Sequence, residues 1–336
     1  MWIASGVPHG IMPEPMRPVP YLDADAIRAG VSIDDMLDAV EAAYRDVSSG
    51  RDRSPLRSRI ALPNGDLLLM PGIRDGGAGA SVKLVTVTPA NASRGLPTIH
   101  ALVVWFDAAT GRPLALIDGE TLTAMRTGAA SGVATRLLSR TDASALAIIG
   151  AGGQAEWQLR AVLAARPIQR AAVYARDPSA REAFAGRMAG VTGIEVTAAG
   201  TAEEAIHGAD VICCATTSSE PVFDAAWVAP GAHVNGVGAY RLGMVELPPE
   251  LMARAGLVAV DSRGTAMAEA GDVVAAIERG LVAEDGLVEI GSVGPDWVAT
   301  RSAESITVFK SVGLAAQDVA AAELITHRLL GGARDE

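Results

Sequence analysis

The chain has 336 residues, 49% of them hydrophobic, and a formal net charge of −11 at pH 7. That length favours two domains over a single core, and the acidic balance argues against a nucleic-acid partner, which would select a basic face. No apolar run approaches the roughly 18 residues a membrane span needs, so the expectation is an Ala/Val/Leu-rich protein of the cytosol with no membrane partner.

Residues 1–20 carry prolines at 8, 13, 15, 18 and 20 and lack a basic start followed by an apolar stretch. They read as a disordered extension and not as a signal peptide. From 23 to 48 apolar positions recur at three- and four-residue spacing, which predicts one helix. The period then changes: DLLLMPGI, SVKLVTV and PTIHALVVWFDAATGRPLALID predict strands, the last a hairpin turned at DAATG. A long small-residue helix is expected over GETLTAMRTGAASGVATRLLSR. Beyond residue 144 strands and helices alternate, with SALAIIG, AAVYAR, IEVTAA, DVICCAT, HVNGVG, LVAVDS and SITVFK as the strands. This is the pattern of an α/β doubly wound parallel sheet. A helix over LAAQDVAAAELITHRLL closes the chain. Cys213 and Cys214 are neighbours on a strand, so they point to opposite faces and predict two reduced core residues, not a disulfide.

IIGAGGQAEWQLRAV sets Gly150, Gly152 and Ala155 between an apolar strand and an amphipathic helix. In that context G-x-G-x-x-A is a dinucleotide fingerprint: a tight turn, a close approach of backbone to the pyrophosphate, and close packing of helix on sheet. The next strand ends VYARDPSARE. Where an NAD site usually has a carboxylate for the ribose there is Ala175, followed by Arg176, which suits a 2′-phosphate and favours NADP(H) over NAD(H); Asp177 beside it points the other way.

The charged residues raise a second question. Lys occurs only at 83 and 310; every other one of the 28 basic residues is Arg. Lys83 sits in a Val/Leu/Thr run, where an ammonium is costly unless something negative or reactive faces it. Arg126 has Leu122, Thr123, Ala129 and Ala130 at helical spacing, so no acid on its own helix can pair it, and the small residues around it leave room for something bulky. Arg57 precedes the strand DLLLMPG. Three isolated cations from separate segments suit a carboxylate clamp, unless distant Asp or Glu residues pair them. His100 and His233 read as satisfied core residues. No cluster has metal spacing, and no nucleophile elbow appears.

KLVTVTPANASRGLPTIHALVVWFDAATGRPLALIDGETLTAMRTGAASGVATRLLSR, IIGAGGQA and ITVFKSVGLAAQDVAAA together resemble the ornithine cyclodeaminase/mu-crystallin family, over about residues 21–330. The resemblance implies a Rossmann domain (126–311) beside a smaller α+β substrate-binding and dimerising domain (21–125 with 312–336), a homodimer, and a nicotinamide cofactor used on small imino or amino acids. It implies substrate contacts at Arg57, Met70, Lys83, Thr98, Arg126 and Tyr240, with Lys83 catalytic. It implies cofactor contacts at Thr127 near the pyrophosphate, at Thr216 and Thr217 near the nicotinamide ribose, and at Gly153, Gln154, Val237 and Ser311. The departures also bear on function. Where cyclodeaminases carry a Glu for the substrate amine this chain has Leu68, and where they carry the Asp that assists deamination it has Tyr240. The reductase loop R-P-D reads Arg241, Leu242, Gly243. An iminium arrives already protonated, so reduction can dispense with an acid that deamination needs. The expected activity is therefore that of an imine reductase or amino-acid dehydrogenase. The alternatives are a cyclodeaminase with recycled NAD and a non-catalytic binder.

Overall fold

The computed structural model describes residues 18–294, 297 and 300–331; most of the N-terminal extension expected over 1–20 lies outside them. Two sheets carry the molecule. The first has six strands: β1 (Tyr21–Leu22), β2 (Ser58–Leu62), β3 (Gly65–Ile73), β4 (Gly79–Val87), β5 (Ile99–Asp107) and β6 (Pro113–Asp118), in the order β1-β6-β5-β4-β3-β2. All its pairings are antiparallel except β1 with β6. The second is parallel and eight-stranded: β7 (Ala145–Ile149), β8 (Arg170–Tyr174), β9 (Glu195–Ala198), β10 (Val211–Cys214), β11 (His233–Gly236), β12 (Ala255–Val260), β13 (Leu287–Glu289) and β14 (Ile306–Lys310). Its order, β13-β12-β14-β11-β10-β7-β8-β9, reverses direction at β7/β10, the switch point where doubly wound sheets bind ligands.

The segment expected as one helix over 23–48 is two, α1 (Ala24–Gly30) and α2 (Ile33–Ser48). Val31 and Ser32 are extended, and the Ser32 hydroxyl caps α2 by accepting from Asp35 N. A capping serine offers its own hydrogen bond in a non-helical conformation and so stops the first helix. The predicted hairpin is β5–β6, and its last residue, Asp118, caps the 20-residue helix α3 (Gly119–Leu138) through Thr121 N. Cys213 and Cys214 are free and packed into cores on opposite faces of the parallel sheet.

The small residues of α3 have a packing purpose. A Cβ on Gly128 would come within 2.5 Å of the Trp157 carbonyl, and one on Gly132 within 3.0 Å of that of Ala161. The bulky neighbour is therefore α4 (Ala155–Ala165), lying almost backbone to backbone against α3. The C-terminal helix (Ala315–Leu330) packs on α2, β3 and β4, and one apolar core joins α2, α3, the first sheet and this helix to Phe309 of β14. The helix α3 runs unbroken between the two sheets, so the cavity between them has one rigid wall.

Candidate active site

The turn after β7 is built for a phosphate-bearing ligand. Gly150 has φ 109°, and a Cβ there would lie 2.7 Å from the Ala215 carbonyl. A Cβ on Gly152 or Gly153 would find nothing within 4 Å, so the loop backbone faces open space. Ala155 is fully buried at the start of α4, and Gln154 before it leaves its side-chain carbonyl buried without a partner. Room for close approach of the loop backbone at the positive end of a helix suits a dinucleotide pyrophosphate.

Arg176 is exposed just beyond the tip of β8. Asp177 is engaged elsewhere: its Oδ1 accepts from Ser179 N and caps the helix that follows. Arg181 donates to the Ala175 carbonyl at 2.9 Å and lies over the Tyr174 ring at 5.6 Å, adding a second cation near this tip.

Between the sheets lies a cavity of about 440 Å³. Arg57, Met70, Lys83, Thr98, Arg126 and Tyr240 all line it. So do Thr127, Gln154, Thr216, Thr217, Val237 and Ser311. Gly150, Gly152, Gly153, Ala155 and Arg176 are not on its wall; they form the turn and the strand tip just described. Leu68 takes its place on an apolar side with Met70, Val85 and Tyr240. Burial raises the pKa of the Tyr240 hydroxyl, the nearby Asp66 adding to it and Arg241 opposing it.

The three cations do have acidic partners, each from far along the chain. Lys83, 1% exposed, places Nζ 2.9 and 2.8 Å from the two oxygens of Asp318, which is fully buried on the C-terminal helix. Arg126 donates through Nε to the same Asp318 Oδ1 at 3.0 Å. Arg57 pairs with Glu269 at 2.8 Å and donates to the carbonyls of Val312 (2.9 Å) and Gly313 (2.6 Å). Of the two alternatives left open by the sequence, distant acids do pair all three. Arg126 and Lys83 share one anion, and Arg57 is committed through one nitrogen to the loop after β14. Desolvation lowers the Lys83 pKa to about 7, Arg126 lowering it further and Asp318 working against both.

That loop is held from its other side by Asp261. This buried carboxylate accepts from Ser311 Oγ, Val312 N and Gly313 N, each at 2.9 Å. Burial raises its pKa, and these donors oppose the rise. No Asp or Glu is on the cavity wall among the described residues, whereas Arg57, Lys83, Arg126 and Arg241 are.

The histidines divide. His233 is buried with Nδ1 2.9 Å from Thr307 Oγ1 and Nε2 3.1 Å from Asn235 Oδ1, and burial drives its pKa to about 3. His100 is not a core residue: it is exposed and contacts Glu120 at 2.8 Å, because its position on β5 faces away from the core. Among the described residues no group of three or more His, Cys, Asp or Glu side chains could hold a metal ion. The residues that the sequence reading missed are acids: Asp318, Asp261 and Glu269. Asp318 carried a signal, as a lone charge in the apolar run LAAQDVAAA, the mirror of Lys83 in its strand.

The model of the ornithine cyclodeaminase/mu-crystallin family matches residues 21–333. A Delta(1)-pyrroline-2-carboxylate reductase of Bacillus cereus is 38% identical over 311 residues, covering 91% of this chain and 95% of that protein. The Thermococcus litoralis Delta(1)-pyrroline-2-carboxylate reductase, solved in complex with NADH and L-proline, superposes with a TM-score of 0.88 at 36% identity, over 93% of this chain and 98% of that one. An archaeal alanine dehydrogenase dimer with bound NAD gives 0.84 at 32% identity, over 93% and 96%. The chain belongs to the ornithine cyclodeaminase/mu-crystallin family.

Proposed function

We propose that the chain is a nicotinamide-dependent reductase of small imino acids, able to run in reverse as an amino-acid dehydrogenase. The observation that carries this reading is the cavity wall: cations at Arg57, Lys83, Arg126 and Arg241, an apolar side of Leu68, Met70 and Val85, and no carboxylate among the described residues. Such a wall takes the carboxylate of an imino acid and an uncharged side chain. It offers nothing to hold the second amine that a diamino acid brings to cyclodeamination. The names of the relatives, reductases of a cyclic imino acid, point the same way.

The nicotinamide ring, when bound, exchanges a hydride with the carbon of the C–N bond. The protein's own residues do the rest. Arg126 presents its terminal nitrogens to the substrate carboxylate while Asp318 fixes Nε. Lys83 supplies a close positive charge and, with a pKa near 7, a proton that can move. Thr127, Gln154 and the glycine turn receive the pyrophosphate, and Thr216 and Thr217 the ribose beside the nicotinamide. The described residues of 21–125 with 312–331 form the substrate and dimer-forming part and those of 126–311 the dinucleotide part, α3 being shared between the two.

Stoichiometry is the test. Purified protein mixed with NADPH or NADH and a cyclic imino acid, or a 2-oxo acid with ammonia or methylamine, should consume one reduced cofactor per amine formed. Release of ammonia from a diamino acid with no net cofactor consumption would show a cyclodeaminase instead, and tight cofactor binding without any turnover a binder. NADP(H) is the favoured cofactor because Arg176 stands where an acid would face the ribose and Asp177 is spent on capping. One lost charge-assisted contact costs about 1.5–3 kcal/mol, so Arg176→Ala should weaken NADPH binding more than about tenfold and leave NADH nearly unchanged. Equal losses for both cofactors would remove the assignment.

A further inference from the structure

The second lysine is as buried as the first, yet it does not reach the cavity. Lys310 Nζ lies 2.6 Å from Asp272 Oδ2 and 3.6 Å from Glu246 Oε1, and none of the three side chains has any exposure. Glu246 makes four further contacts. Its Oε2 accepts from Thr216 N at 2.9 Å and Thr216 Oγ1 at 3.1 Å; its Oε1 accepts from Gly238 N at 2.6 Å and Ala239 N at 3.2 Å. Asp272 Oδ1 in turn accepts from the backbone N–H groups of Glu246 (2.6 Å) and Leu247 (3.0 Å), fixing the segment that carries the glutamate.

The donors belong to two loops, one after β10 and one after β11, and Thr216, Gly238 and Tyr240 line the cavity. Parallel strands that end together leave N–H groups with no ladder partner, and here one carboxylate serves both loops. The loops are also pressed together: a Cβ on Gly238 would meet Thr216 O at 2.1 Å and Thr216 N at 2.3 Å. For stability alone a buried ion cluster is a poor device, since an apolar replacement of similar volume is often neutral or better. We infer that Glu246 is a positioning residue for the reaction. It sets the Thr216 loop, on the cofactor side, in register with the Gly238–Tyr240 loop, on the substrate side, while Lys310 and Asp272 hold it in place. The inference rests on the reading that this cavity takes a dinucleotide.

Glu246→Gln tests it, because the amide can accept from one loop but must turn its NH2 toward the donors of the other. Three quantities are measured: the dissociation constants of NADPH and NADH by fluorescence titration, amide hydrogen exchange of the unliganded protein, and the unfolding midpoint. The variant should bind cofactor at least about tenfold more weakly. Exchange should quicken at least about tenfold in residues 215–218 and 237–241, with β7 and β8 unchanged. Affinity within twofold of wild type, or faster exchange spread over the whole sheet, would overturn the inference whatever the midpoint does. If Glu246→Gln does not fold, Asp272→Asn loosens the glutamate from a residue that does not line the cavity. It should weaken binding by about threefold to tenfold and quicken exchange in the same two loops, and an unchanged dissociation constant would overturn the inference. Wild-type protein that binds neither cofactor would sink the functional reading, and exchange in the unliganded variant would still decide the role of Glu246.

Discussion

Lys83, on both oxygens, and Arg126, on Oδ1, share the carboxylate of Asp318, so two cations meet one anion and the group as a whole leans positive toward the cavity. Asp318→Ala would strand both, a loss of about 3–5 kcal/mol for a broken buried pair; Asp318→Asn keeps an acceptor and is the better probe. Burial first, and Arg126 second, lower the Lys83 pKa from 10.5 to about 7. The unfolded chain therefore holds the extra proton between about pH 7 and 10.5, and this lysine's share of the stability rises with pH across that window. Activity should run the other way. With Lys83 needed as a cation, kcat/KM for imine reduction falls as pH rises through about 7, since kcat/KM reports the free enzyme. Asp318→Asn removes the group that props the value up, so the falling limb should move to lower pH; the difference between the two enzymes cancels the substrate's own ionisation. An unmoved limb would mean that Lys83 is not the titrating group. Lys83→Arg carries a charge that does not titrate. It should lose the limb altogether and about a hundredfold in kcat/KM, with NADPH affinity unchanged; activity within a few-fold of wild type would remove Lys83 from the mechanism.

The loop Ser311–Gly313 shows what an element can do that no single residue does. Asp261 holds its N–H groups, Arg57 its carbonyls, and Gly313, at φ +81°, passes so near Arg126 that a Cβ would meet Nη1 at 2.6 Å. Gly313→Ala therefore combines left-handed strain of roughly 1–2 kcal/mol with a displaced guanidinium. We expect kcat/KM to fall more than about tenfold, mainly through KM for the imino acid, because the clamp moves and the pyrophosphate turn does not. A loss confined to cofactor KM would contradict the placement. Much of this was readable beforehand. The strands β3, β4, β7, β10 and β14 announced themselves by apolar runs, and the glycine turn by its flanks. Three things were not legible, for different reasons. The break at Val31–Ser32 has a capping serine, but apolar spacing continues across it and masks the stop. Strand β2 is exposed at all five positions, so alternation has no burial to report there. The Lys83–Asp318 pair joins residues 235 apart, and local pattern holds no information at that range. The sequence did show each as a charge out of place, which is as far as composition can go.

At the scale of the whole molecule the first sheet presents a problem that a single chain leaves open. Its inner face, with Lys83, Val85, Met70 and Val103, is covered, while alternation sends the neighbouring residues outward. The register aligns these in rows: Leu69 beside Leu84 beside Leu102, and Pro71 beside Val82 beside Val104 beside Leu116. Leu84 is 36% exposed at the middle of this face, and Ile60 and Leu62 on the β2 edge are 52% and 37% exposed. A contiguous apolar sheet face toward water is suited to an interface, and a second copy of the chain would supply a matching one through an isologous contact. The archaeal relative described as a dimer is consistent with that partner. Leu84→Arg places a charge in the centre of the face, where burying it unpaired costs several kcal/mol. In sedimentation velocity at micromolar concentration the wild type should run at twice 34.4 kDa and Leu84→Arg at 34.4 kDa. Val191→Arg, on a more exposed apolar residue (54%) remote from this sheet, should stay dimeric. A wild type that sediments at 34.4 kDa would refute the interface, and so would a Leu84→Arg protein that remains at twice that mass. The charge would then be facing solvent, and the rows of leucine would need another cover.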